Sequence, residues 1–207
     1  MGRYIGPKNK IARRFGVNLG LKSNPTKVAR RLQQAPGVHG PNKRKSAGST
    51  FGKQLLEKQK AKLMYGLRER QFRRYVTEAT RLTGDSSIHL QHMLEMRLDN
   101  VIYRSGLAIT RAQARQFVSH GMFTVNGKLM NVPSHIVSVG DVITLKENKK
   151  RKKIFETASE MLSKHEMPSW LSADASTLSV KVTSKPGVLD TEKIYDIKLI
   201  IEYYSTR

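Results

Sequence analysis

The sequence predicts an α+β protein in which amphipathic helices come first and short strands follow. Apolar residues recur at the helical spacing over 68–82, and residues 122–132 surround Asn126-Gly127, a dipeptide favoured in two-residue hairpin turns. Charge is the third observation: the 207 residues carry a net charge of +22, and no Asp or Glu precedes Glu57. Because a chain this basic repels itself, we expect a polyanionic partner, either nucleic acid, an anionic membrane or an acidic protein.

Several classes of protein are excluded by composition. The chain has no cysteine, which excludes disulfides and thiolate zinc sites. Its apolar runs are far shorter than the roughly 20 residues that a membrane span needs, and the start, MGRYIGPKNK, lacks the apolar core of a secretory signal. We therefore expect a cytosolic protein. From Glu166 onward acidic residues balance basic ones, so the contact with a polyanion is assigned to the first three quarters of the chain.

Residues 1–50 predict an extended basic arm, since they are rich in Gly, Pro, Asn and Lys. A short helix is expected within it over NPTKVARRLQQ, where Asn24 suits the N-cap and Pro25 the first helical position. Residues 35–50 are too polar to fold alone and should order only against a partner.

Three helical stretches follow the arm. KQLLEKQKAKLMYG closes at Gly66, and residues 86–106 form one or two helices with a possible break at Glu95–Arg97. The clearest helix, 68–82, combines an apolar stripe with arginines that lie off it. The stripe is Phe72, Tyr75, Val76, Ala79 and Leu82, and the arginines are Arg70, Arg73, Arg74 and Arg81.

The stretch 110–128 predicts a capped helix that leads into a β-hairpin. Thr110 with Gln113 forms a capping box, and the buried stripe is Ala114, Phe117 and Val118. The opposite face carries Arg115, Gln116, Ser119 and His120, with Arg111 at its edge. Such a face can be an ordinary solvated surface. In so basic a chain we favour RNA contact, because guanidinium groups bind phosphate while amides and imidazoles can bind base edges and 2′-hydroxyls.

The remainder predicts strands around a helix. Strands are expected after Gly140-Asp141, over LSVKVTS and over IYDIKLIIEYY. The five cations 149–153 open a helical stretch that Pro168 ends. This run could be solvated, a localisation signal or a phosphate clamp, and we expect phosphate contact without base specificity.

Sites of other kinds are not expected. His89, His92 and Glu95 recur at three-residue steps, but a structural zinc site needs four ligands. Trp170 could stack on a base, but a packing role is favoured. GSTFGKQ departs from the phosphate-loop pattern, and no catalytic constellation occurs. We predict no enzyme activity, no cofactor and no metal.

Resemblance to a known family makes the predicted function more specific. Residues 97–144 resemble the RNA-binding module named after small ribosomal subunit protein S4, which also occurs in RNA-modifying enzymes and tyrosyl-tRNA synthetases. The flanking RYIGPKNKIARRFG, QAPGVHG, LLEKQKAKLMYGLRERQFRRY and IIEYYS are similar to the bacterial ribosomal protein S4 family itself. Many members carry a cysteine zinc knuckle near the N-terminus, so this cysteine-free chain resembles the zinc-free branch.

The resemblance implies a structural ribosomal protein. Members bind small-subunit ribosomal RNA at a multi-helix junction of its five-prime domain and nucleate assembly. They also lie beside ribosomal protein five, with which they influence decoding accuracy. The implied architecture is a helical domain with an inserted module of two short helices on a small antiparallel sheet. Its expected segments are the arm 1–50, the helical domain 51–96, the module 97–157, and 158–207, which supplies further strands and packs back on the helical domain.

Candidate contacts follow from the charge pattern and the resemblance. Lys43, Arg44 and Lys45 are expected beside the path along which messenger RNA enters. The expected ribosomal RNA contacts are Arg3, Tyr4, Lys8, Lys10, Arg13, Arg14, Arg30, Arg31, Arg70, Arg73, Arg74, Arg97, Arg104, Thr110, Arg111, Arg115, Gln116, His120, Lys149, Lys150 and Arg151. By pinning several RNA helices together, such contacts would favour the folded junction. The rival functions are an RNA-modifying enzyme and a stress factor that binds stalled subunits. The expected location is the ribosome of the cytoplasm or of an organelle with bacterial-type ribosomes.

Overall fold

The computed structural model describes residues 4–40, 48–150, 152–156, 160, 162, 165–187, 190, 192 and 194–205. The chain divides into two compact units. Unit 1 comprises Met1–Leu90 and Glu192–Arg207, and unit 2 comprises Gln91–Thr191, so unit 2 is inserted between two parts of unit 1 along the chain. This arrangement of helices with an inserted small sheet confirms the predicted α+β class. The segment boundaries at 50, 96 and 157 stay predictions.

Unit 1 is helical. Its elements are α1 (Lys8–Phe15), α2 (Pro25–Ala29), α3 (Thr50–Met64), α4 (Glu69–Arg81), the first half of α5 (Ser86–Glu95) and α9 (Ile197–Ser205). Helix α4 buries the predicted stripe of Phe72, Tyr75, Val76 and Ala79, but Leu82 follows the helix and is 48% exposed. No helix within the described ranges is long and apolar enough to span a bilayer.

The two ends of unit 1 differ from the sequence predictions. Residues 194–204 were predicted as a strand, which is wrong: Ile200 and Tyr203, three residues apart, are buried on one side of helix α9, which packs along α3. The arm contains a helix that was not predicted, α1, which buries Ile11 and Ala12. The predicted helix α2 begins at Pro25 with Asn24 as its cap but ends at Ala29.

Unit 2 is built on a five-stranded antiparallel sheet in the order β2-β1-β3-β5-β4. The strands are β1 (Phe123–Val125), β2 (Lys128–Met130), β3 (Val142–Leu145), β4 (Leu171–Asp174) and β5 (Ser179–Val182). Asn126 and Gly127 both have positive φ angles, 50° and 76°, as the predicted two-residue turn requires. The hairpin and the strands after Asp141 and over 179–182 are confirmed.

Two short helices share the hydrophobic core of this sheet, α6 (Leu98–Arg104) and α7 (Arg111–Ser119). The predicted break after Glu95 is present, since α5 ends there and α6 begins at Leu98. Trp170 is fully buried in the same core, which confirms the packing prediction. Among the described residues, the cationic run lies in α8 (Glu147–Lys150) and a 3-10 turn, Lys153–Phe155. Glu160 and Leu162 of the predicted helix are helical, and most of its other residues beyond Glu156 lie outside the described residues.

Candidate nucleic-acid interface

Helix α7 is fixed at its start by a side-chain cap. The Thr110 hydroxyl accepts a hydrogen bond from the Gln113 amide at 3.2 Å, as the sequence predicts. The returning bond differs from a capping box by one residue, because Gln113 Oε1 accepts from the amide of Ile109 at 2.9 Å. Gly121, with φ of 61°, follows the helix. Thr110 is therefore a structural cap, which leaves the outer face of α7 as the surface available to a ligand.

That outer face carries the predicted polar groups. Gln116 and His120 are exposed, and Ala114, Phe117 and Val118 on the other side are buried. Arg115 lies between the two sides, with its side chain 28% exposed. This helix therefore offers an amide, an imidazole and part of a guanidinium group to solvent, the chemistry suited to phosphate and base edges.

A buried carboxylate, that of Asp99, accepts a hydrogen bond from Arg115 on the inner side of α7. Asp99, at the start of α6, accepts two hydrogen bonds from Arg97, at 3.0 Å from Nε and 2.7 Å from Nη2. Its Oδ2 atom also accepts from Nη1 of Arg115 at 3.2 Å. The Arg97 side chain has no exposed surface, so the prediction that it contacts RNA is corrected: it is an internal cation whose charge Asp99 neutralises.

A second polar network holds Arg104 and Arg111. Glu95 accepts hydrogen bonds from Arg104 at 3.0 and 3.2 Å and from Asn100 at 2.8 Å. Asn100 Oδ1 in turn accepts from Arg111 Nε at 2.8 Å, and the Arg111 guanidinium lies 4.3 Å from the centre of the Tyr103 ring.

These partners correct two predicted RNA contacts. Arg111 is 7% exposed and lies inside the module rather than at the edge of its face, and the Arg104 side chain is 14% exposed and paired. Sequence reasoning missed the positioning role of Asp99 and Asn100. A signal was available, because Glu95 and Asp99 are the acidic residues nearest in sequence to these four arginines.

Helix α4 carries the most segregated cationic face. Its aromatic and aliphatic side is buried, while Arg70, Arg73, Arg74 and Arg81 are exposed as predicted. Arg74 pairs with Glu78 at 3.1 Å across one helical turn, a surface contact of about 0.3–0.5 kcal/mol. Within the described residues, no hydrogen bond or ion pair engages the guanidinium groups of Arg70, Arg73 or Arg81.

The other acidic residue of α4 fixes the helix within unit 1. Glu69 accepts from Lys58 and Lys62 at 2.8 Å each and from the Tyr204 hydroxyl at 2.6 Å. Partial burial raises the pKa of Glu69, but these three hydrogen bonds outweigh burial and lower the pKa to about 2. Burial, followed by the bond to Glu69, raises the pKa of the Tyr204 hydroxyl. Glu69 therefore links α3, α4 and α9. Among the described residues, its partners are on α3 and α9, and it does not pair with the arginines of α4.

The basic N-terminal residues divide into structural and exposed groups. Arg13 donates to the carbonyls of Gln34 and Ala35 at 2.9 and 3.1 Å, so it ties α1 to the chain after α2. Lys8 is half-buried, and the exposed members are Tyr4, Lys10, Arg14, Arg30 and Arg31. The predicted contacts Arg3, Lys43, Arg44, Lys45 and Arg151 lie outside the described residues.

The remaining residues of unit 2 that were considered as ligand contacts are less accessible or engaged within the protein. Lys149 and Lys150 are half-buried at the end of α8, and Lys150 pairs with Glu147. His92, considered for a metal site, contacts the Pro186 carbonyl through its ring at 3.0 Å.

A cleft of about 710 Å³ in unit 2 has the wrong charge for RNA. Its walls include three carboxylates, Glu160, Glu166 and Asp190, and one arginine, Arg104, which is paired with Glu95. Phosphate would be repelled by these carboxylates, so the cleft is not part of the candidate interface.

Comparison with protein families gives the class of protein. The model of the ribosomal protein S4/S9 N-terminal domain matches residues 3–95, and that of the S4 domain matches residues 96–143. The helical unit and the small sheet therefore belong to a ribosomal protein that carries an S4 domain.

Whole-chain relatives then give the family. The small ribosomal subunit protein uS4 of Roseiflexus castenholzii is 44% identical over 207 residues, and that of Herpetosiphon aurantiacus is 45% identical over 210 residues. Protein uS4A of Psychromonas ingrahamii is 44% identical. Each match covers 99% of this chain and the whole relative. The chain belongs to the uS4 family, in its cysteine-free, zinc-free branch. This is a family of structural ribosomal proteins, which confirms the prediction that the chain is not an enzyme.

Proposed function

We propose that the chain is a structural constituent of the small ribosomal subunit that binds ribosomal RNA directly. Helix α4 carries the proposal, because four arginines are exposed on one side while the opposite side is buried. Charge supports it: unit 1 has 24 basic and 7 acidic residues, a net +17, whereas unit 2 has 14 and 9, a net +5. Each phosphate that a cation neutralises releases counterions, which drives binding.

The proposed contacts are the predicted residues that are exposed, together with Arg115, which lies on the outer face of α7 and is partly exposed. They are Tyr4, Lys10, Arg14, Arg30, Arg31, Arg70, Arg73, Arg74, Arg115, Gln116 and His120. Phosphate contacts position a protein without reading sequence, so the mechanism is charge neutralisation combined with recognition of RNA shape. Binding several RNA helices of the five-prime domain junction at once would favour their folded arrangement and so nucleate assembly.

Two finer roles rest on the family resemblance. Lys43, Arg44 and Lys45 are proposed to hold messenger RNA where it enters the subunit, and a contact with ribosomal protein five is proposed to influence decoding accuracy. Crosslinking of intact subunits, with photoreactive groups at positions 43–45, tests the first role directly. Crosslinks to messenger RNA are expected, and crosslinks confined to ribosomal RNA would contradict it.

Sedimentation tests the main proposal. A tagged copy of the chain should remain with small subunits in the cytoplasmic extract through a high-salt wash, because many phosphate contacts act together. An associated stress factor would leave the subunits in the same wash. Recovery mainly in the pool of unbound protein would therefore refute the structural role.

A further inference from the structure

Helix α4 carries a hydroxyl group within its arginine face. At 100° per residue, Arg70, Arg73, Arg74 and Arg81 lie within an arc of about 100°, and Thr77 lies within about 10° of its middle. The arc extends over eleven residue steps, about 16 Å along the helix. All five side chains are exposed. The face therefore combines cations with a central polar atom of a different kind.

The hydrogen-bonding capacity of Thr77 is restricted by the helix itself. Its hydroxyl donates to the carbonyl of Arg73 at 3.0 Å, and since a carbonyl can only accept, the Thr77 proton is committed there. What remains on Thr77 Oγ1 is acceptor capacity. Phosphate oxygens also only accept, so they cannot pair with this atom. A ribose 2′-hydroxyl can donate to it, and DNA has no such group.

Stacking of bases on aromatic side chains is not available on this helix. Both of its aromatic residues, Phe72 and Tyr75, are buried, at 0% and 2% exposure. Proteins that bind single strands stack bases on exposed aromatic side chains. Double-helical RNA instead presents phosphates and 2′-hydroxyls along its wide minor groove, which suits arginines arranged around one acceptor.

We infer that α4 docks in the minor groove of double-helical A-form RNA, with its arginines on phosphates and Thr77 Oγ1 accepting a hydrogen bond from a ribose 2′-hydroxyl. The inference rests on the proposed function, namely that the chain binds RNA. It adds the groove that α4 enters and an atom that distinguishes RNA from DNA.

The experiment compares the full chain with two valine variants. Thr77→Val removes the acceptor and keeps the shape. Thr80→Val is the matched control, because Thr80 is also exposed and donates to a backbone carbonyl at 3.0 Å but lies about 70° from the middle of the arc. The ligands are an RNA duplex of about 20 base pairs and a DNA duplex of the same sequence. Thr77→Val should weaken binding of the RNA duplex about 3- to 10-fold and leave the DNA duplex unchanged, while Thr80→Val changes neither beyond about twofold.

A second variant tests the phosphate contacts. Arg70→Gln with Arg73→Gln should lower the slope of log affinity against log salt by about 2 for the RNA duplex, and Lys181→Gln with Lys198→Gln should leave it unchanged. Circular dichroism of each variant verifies that the helices are intact.

The outcomes separate the inference from the broader function. If the wild-type chain binds ribosomal RNA but Thr77→Val weakens both duplexes equally, or neither, the inference is overturned. It is also overturned if single-stranded RNA of the same length binds more tightly than the duplex and the arginine variant weakens that binding most. If the wild-type chain does not bind ribosomal RNA at all, the proposed function itself has failed.

Discussion

Removal of the Asp99 carboxylate should destabilise unit 2 severely. In Asp99→Ala, the Arg97 guanidinium would remain fully buried and would lose the two hydrogen bonds that it donates to Asp99. Breaking a buried ion pair from one side typically costs about 3–5 kcal/mol, because the remaining charge is left uncompensated. The contact with Arg115, whose side chain is 28% exposed, adds about 1 kcal/mol at most. A domain has only about 5–15 kcal/mol of stability, so a large part of it should be lost.

Urea unfolding followed by tryptophan fluorescence measures the loss of stability in unit 2 itself. Trp170 is the single tryptophan of the chain and is fully buried in the core of unit 2. Glu147→Ala is the control, since Glu147 is 81% exposed and its pair with Lys150 should contribute about 0.5 kcal/mol or less. Replacing Arg97 and Asp99 together by leucine should recover much of the loss, because both members of the buried ion pair are then exchanged for apolar groups. A loss below about 1 kcal/mol in Asp99→Ala would refute the reasoning.

Three further outcomes are expected. Because the pKa of Glu69 is lowered in the folded state, its contribution to stability is complete above about pH 4.5 and is lost as pH falls toward 2. Glu69→Gln should therefore flatten the free energy of unfolding by urea, plotted against pH, over this range, and an unchanged profile would contradict this. Arg115→Gln should reduce the salt slope of ribosomal RNA binding by about 1 in a filter assay, whereas Lys181→Gln should not, and equal slopes would count against Arg115 as a contact. Thr110→Ala should lower the free energy of unfolding by about 1 kcal/mol through loss of the α7 cap, and an unchanged unfolding midpoint would show that the cap is dispensable.

Local signals predicted the elements of the module well. The cap at Thr110, the stripe around Phe117 and the Asn126-Gly127 turn each act within a few residues, so they appear in sequence as they do in the fold. The strand prediction over residues 194–204 was wrong, because a short apolar run such as 197–201 is compatible with a buried strand as well as with a helix. The helix forms because it packs on α3, far away in sequence, where the Tyr203 ring lies 5.6 Å from the ring of Phe51.

The candidate site was predictable only where charge and exposure coincide. On α4, an unbroken apolar stripe fixes the buried side, and the arginines must then face solvent. In unit 2 the count of cations was misleading, because Arg97, Arg104 and Arg111 are paired with acceptors from neighbouring elements. The sequence shows that Glu95 and Asp99 are the nearest acidic residues, but which arginine each of them binds depends on tertiary geometry.

The interrupted course of unit 1 has a consequence for synthesis. Helix α3 is complete once residue 64 has been made, but its partner α9 begins at residue 197. At about 5–20 residues per second, the residues from 65 to 205 take roughly 7 to 28 seconds to add. During that interval the side of α3 that α9 will cover has no partner helix. The hydrogen bond from Tyr204 to Glu69 can form only after α9 has been made. Chains halted at residue 191 should therefore be cut by protease within α3 much faster than chains extended through residue 205. The order of translation thus delays completion of the RNA-binding unit until the inserted unit has already been made.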